Sequence, residues 1–183
     1  MFGLDILAVS AFLHLASAQT QVKCTLPKAP VININPISRE IEYDFSKTSE
    51  ELGQLKTSKV NPYAPGTDAA TGGLRHDKPE IKVAVKWGVL EYPSLQQACI
   101  WYDSVDVTIQ LNPKIYVAKD KEFSDPGCRY AIIEHENKHV NVDRAVINNY
   151  ARNMGAAIQK AINSAGAMGP YNKSQMKEVQ ESL

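Results

Sequence analysis

The sequence carries no excess charge of either sign: twenty Lys and Arg stand against twenty Asp and Glu over 183 residues. Without a basic surplus no chain-wide field exists to hold a phosphate backbone, so nucleic acid is excluded as an expected partner. Cysteine is scarce, three residues in all, and no two of them stand at CxxC spacing. A cysteine-built zinc site and thioredoxin-like chemistry therefore have no footing. The most apolar stretch, Ile6 to Ala18, falls short of the ~20 residues a membrane-spanning helix needs. Ten Gly and ten Pro are ordinary usage, which rules out collagen-like and low-complexity chains. What is present is the composition of a globular domain, 44% hydrophobic and 22% charged, of a size that buries roughly two-thirds of its unfolded surface.

The first eighteen residues close on Ala16-Ser17-Ala18, the small-residue pattern of a secretory signal, with Gln19 expected to begin the mature chain. The only charged residue there is Asp5, so the usual positive leader is missing. The expected organisation is a signal peptide over 1–18, one domain over 19–166 and a polar tail over 167–183. The expected destination is secreted or periplasmic, with no stable membrane insertion of the mature chain. Export places Cys24, Cys99 and Cys128 where disulfides persist. Cys99 opens an expected strand and Cys128 an expected helix, so a Cys99–Cys128 disulfide tying sheet to helix is expected, with Cys24 free.

Strands come first along the chain. Ile41, Tyr43 and Phe45 alternate within Ser38 to Ser46, and Ser49 can cap a short helix through Leu52. Asn61 to Lys78 is rich in Pro, Gly and small polar residues without periodicity, and reads as a long loop. Glu80 to Tyr92 sets Ile81, Val83, Val85, Trp87 and Val89 at period two. Ile100 to Leu111 repeats the pattern through Val105, Val107 and Ile109, and Ile115 and Val117 continue it beyond the Asn112-Pro113 turn. At Asp125-Pro126 the period changes. An N-cap followed by a first-turn proline opens a long helix, whose apolar residues recur at three- and four-residue steps as far as Ser164-Ala165-Gly166. The expected fold is α+β, an antiparallel sheet of about four strands packed on one long carboxy-terminal helix.

That helix carries His135-Glu136-Asn137-Lys138-His139, an HExxH motif. Residues four apart share a helix face, so both imidazoles can point at one metal, and Glu136 lies close enough to contact water there. Zinc (Zn2+) would lower the pKa of that water, with Glu136 taking its proton. Catalytic zinc normally has three protein ligands, and no histidine follows His139. Asp143, one turn on from His139, is the candidate in three open roles: third ligand, acceptor of the His139 N–H, or member of an ion pair with Arg144 or Arg129. His76, in Gly72-Gly73-Leu74-Arg75-His76-Asp77, is a more distant candidate ligand or oxyanion donor. Cys128, seven residues before His135, lies on nearly the same face. Tyr130 and Tyr150 are weaker candidates still.

On these residues the sequence resembles the zincin metallopeptidases, and within them the small predicted secreted zinc proteases of bacteria. The resemblance spans roughly Ile41 to Met154. It rests on Cys99-Ile100-Trp101, Ser104-Val105-Asp106-Val107-Thr108, and Cys128-Arg129-Tyr130 leading to Glu134-His135-Glu136-Asn137-Lys138-His139-Val140. Lys138 departs from the stricter zincin pattern, in which the residues between Glu and the second His are uncharged. The resemblance implies a peptidase with a peptide or protein substrate, zinc held by His135 and His139, and Glu136 as general base. The alternative is a secreted, non-catalytic binding module with a structural or vestigial metal site.

Overall fold

The computed structural model describes residues 22–55 and 70–182. The expected signal peptide, Gln19 and the first half of the expected loop from Asn61, residues 61–69, lie outside the described residues. The alternation around Val105 yields the central element: strand β5 (Gln97–Leu111) buries Val105, Val107, Ile109 and Leu111 on one face. One edge of β5 is paired from Gln97 to Gln110 by β4 (Glu80–Tyr92), antiparallel, with a bulge at Lys86/Trp87. Two strands share the other edge: β1 (Val31–Ser38) runs parallel to Ser104–Leu111, and β7 (Met168–Asn172) runs antiparallel to Gln97–Ile100. A second sheet centres on β6 (Lys114–Val117), with β2 (Glu42–Asp44) parallel and β3 (Gly73–His76) antiparallel to it.

The sheet is therefore mixed, which corrects the expectation of a purely antiparallel one. Chain neighbours β4 and β5 do pair antiparallel. β1 and β2, separated from β5 and β6 by a long stretch of chain, return in the same direction and pair parallel. The two sheets join end to end, because β5 continues into β6 through Asn112-Pro113. Arg39 N–H donates to Leu111 O at 2.9 Å and Glu42 N–H to Pro113 O at 3.0 Å, carrying the β1–β2 strip around the same bend. Prolines at 79 and 113 mark where the ladder breaks, since neither can donate to it.

One helix backs the whole ribbon. In α2 (Pro126–Ala165), Asp125 is the N-cap, its side chain accepting the Cys128 N–H, and Gly166 at φ 62° ends the helix. Forty residues at 1.5 Å each make it roughly 60 Å long. Its second half places Ala151 and Ile162 on Val105, Val107 and Ile109. Its first half places Val140 on Ile115 and Val117, flanked by Ile41, Ile132 and Ile133. The short helix α1 (Ser49–Leu55) contributes buried Leu52.

The disulfide expectation is overturned. Cys99 bonds Cys24, with Cα atoms 5.5 Å apart, and Cys128 is the free thiol. The reason is the helix's length. Ile100 pairs with Met168, so Cys99 sits by the carboxy-terminal end of α2, whereas Cys128 sits in its first turn at the far end. The stretch from 167 is also more than a polar tail: β7 joins the main sheet, and α3 (Met176–Ser182) follows it. No helix among the described residues is long and apolar enough to cross a membrane.

Candidate metal centre

The helical spacing of HExxH does bring the two imidazoles together. His135 Nε2 and His139 Nε2 are 3.1 Å apart, with the rings edge to face at 4.8 Å between centroids. Both side chains are exposed. Two nitrogens bound to a tetrahedral zinc at about 2.05 Å would stand roughly 3.3 Å apart, so the pair fits two corners of such a site. Lys138 does not crowd them: its ammonium pairs with Glu134 at 3.0 Å, one turn back on the solvent side.

Glu136 lies on the buried flank of the same turn, 8% exposed. Its Oε2 accepts the Arg75 backbone N–H at 3.0 Å. Ala118 N–H donates to Gly72 O, so the antiparallel alternation turns residues 72, 74 and 76 of this strip toward β6 and leaves 73 and 75 facing its other edge, which pairs with no strand among the described residues. Glu136 thus occupies an edge position of β3 with Oε2, and among the described residues Oε1 has no hydrogen-bond partner. The approach is close enough to require glycine. A Cβ on Gly73 would come within 2.4 Å of Ile132 and 3.0 Å of Glu136 Oε1. On the opposite flank Tyr43 O–H, from β2, donates to Asn137 Oδ1 at 3.0 Å, so both strips of the small sheet grip the motif.

Comparison with protein families, curated proteins and solved structures finds no match to this chain.

The remaining candidates separate from the histidine pair. Asp143 turns to β3, where its Oδ2 is buried 2.8 Å from Arg75 Nη1 without a well-directed hydrogen bond. Of its three open roles, an ion pair is the arrangement present, but the cation is Arg75 rather than Arg144 or Arg129. Arg144 instead reaches Ser38 Oγ at 2.9 Å, and Arg129 donates to Phe123 O at 3.2 Å. His76 is exposed at the end of β3, its ring 6.4 Å from that of Tyr116. Gly73–His76 itself is strand where a loop was expected. Among the described residues no third His, Cys, Asp or Glu joins His135 and His139.

The sequence pointed to the motif but not to its strand partners. Gly73, Arg75 and Tyr43 are distant in the chain, and only the paired Gly72-Gly73 hinted at a close backbone approach. Asp77, just beyond β3, was equally silent. Burial pushes its carboxyl up, outweighing the Asn112 backbone N–H, and nearby Asp143 adds to the rise. Neither Asp77 oxygen has a well-directed hydrogen bond.

Proposed function

We propose that the protein is an exported zinc-dependent hydrolase acting on peptide bonds, in which His135 and His139 hold the metal and Glu136 is the general base. The observation that carries this reading is the His135–His139 nitrogen pair at 3.1 Å on the face next to Glu136. Zinc, when bound there, would supply Lewis-acid polarisation of water and of a scissile carbonyl. The chain's own part is positional. Arg75 N–H holds Glu136 Oε2, Gly73 leaves room beside Oε1, and Oε1 is the atom that takes and returns a proton.

A second reading has its own support. Glu136 is buried and already bonded, and the histidines have no third described partner, as suits a module that binds metal without catalysis. One experiment separates the two. The purified protein should carry about one equivalent of zinc, lost in His135→Ala and in His139→Ala. Glu136→Gln should keep zinc and fold while hydrolysis of a labelled casein falls by about a hundred- to ten-thousandfold. Zinc without hydrolysis in the parent leaves the binding module; no zinc at all removes the hydrolase and leaves only a module whose metal site is vestigial.

A further inference from the structure

The two outer edges of the large sheet are finished differently. On β1, the Arg39 N–H bond to β5 fixes the alternation so that residues 32, 34, 36 and 38 face outward, and Pro36, without an N–H, interrupts that row. An edge proline blunts a strand against further pairing. β4 has no such block. Among the described residues it pairs with β5 alone, and no proline interrupts Glu80 to Tyr92. Ile81, Val83 and Val85 stand opposite Ile109, Val107 and Val105, and so face the same side of the sheet as α2. They are nevertheless 51%, 61% and 39% exposed, because the helix packs toward β1.

The seven residues Glu80-Ile81-Lys82-Val83-Ala84-Val85-Lys86 are self-complementary when run antiparallel about Val83. A two-fold axis there sets Val83 against Val83, Ile81 against Val85, Lys82 against Ala84 and Glu80 against Lys86, the last three twice over. No like charges stand directly opposite one another. Both Glu80–Lys86 pairs lie on the face away from α2, and all three apolar pairs lie on the other. Within the protomer neither Glu80, Lys82 nor Lys86 has an ion-pair partner among the described residues. Lysines on an edge commonly discourage pairing, yet in this register each one meets Glu or Ala. Pro79 and the bulge after Lys86 bound the ladder at both ends. We infer that β4 is a homodimerisation edge, at which a second copy of this chain extends the sheet through Glu80–Lys86.

An interface of one strand per copy is small, so sedimentation equilibrium from about 1 to 200 µM should show a reversible dimer. The work uses a Cys128→Ser background, so that a thiol-linked dimer is not counted. Glu80→Lys alone, or Lys86→Glu alone, opposes like charges twice and should weaken association about tenfold. Combining the two reversals restores opposite charges and should return the affinity to within about threefold of the parent. Val83→Lys, on the axis, should give monomer. If Val83→Lys fails to fold, the exposed charge pair carries the test alone. A parent monomeric throughout the range overturns the inference, as does a dimer indifferent to the single reversals or one that the double reversal fails to restore.

Discussion

A methyl group at position 73 has nowhere to go, because Ile132 and Glu136 already fill the space over β3. Gly73→Ala should therefore lift the motif turn off its strand and destabilise the fold by about 1–3 kcal/mol, the usual range for overpacking, read as a fall in the denaturant midpoint. Asp77 and Asp44 should answer to pH in opposite directions. Burial raises the Asp77 carboxyl, so its ionised form favours the unfolded chain. Asp77→Asn should raise the melting temperature at pH 7, and the gain should shrink as pH falls through the raised value and vanish below the free value of about 3.9, where the parent's carboxyl becomes protonated in both states. Asp44 is held down to about 2 by the Ser46 hydroxyl and N–H and by Lys114. Its contribution is present above about pH 4 and is lost as pH falls from there toward 2, so Asp44→Asn should flatten that part of an acid melting series.

Long periodic elements were legible in the chain and short edge elements were not. The sequence placed β4 over Glu80–Tyr92, the bounds it has in the fold, and gave α2 both of its ends, because period-two and helical spacing repeat over many residues there. β1 was passed over, since Pro36 breaks its pattern; the proline is tolerated because its nitrogen faces the open edge. β3 has the composition of a loop and becomes a strand by pairing with β6, with Gly73 leaving room for Glu136 beside it. The histidine pair was legible from local spacing alone, whereas the pairings Arg75–Asp143 and Cys24–Cys99 depend on tertiary placement that no local pattern encodes. Mass mapping after alkylation without reduction should accordingly label Cys128 and leave Cys24 and Cys99 unlabelled. At the helix, Val140→Ala should cost about 2–3 kcal/mol, since Val140 is fully buried against Ile115 and Val117.

Among the described residues, one helix carries two hydrophobic clusters rather than one core. The larger includes Val105, Val107, Ile109, Ala151 and Ile162; the smaller includes Ile115, Val117 and Val140 and sits under the histidines. The Cys24–Cys99 bond, across a sequence separation of 75, stiffens the sheet that carries the larger cluster and should stabilise by about 4–5 kcal/mol in the chain-entropy model. Since Pro79 and Pro113 interrupt the ladder between the two sheets, opening of one need not open the other. The motif-bearing turn should therefore breathe as its own cooperative unit. Amides of β6 should lose hydrogen-exchange protection at a lower free energy than those of β5, and Glu136→Ala, by freeing the Arg75 N–H, should lower it further for β3 and β6 while β5 keeps its slow exchange.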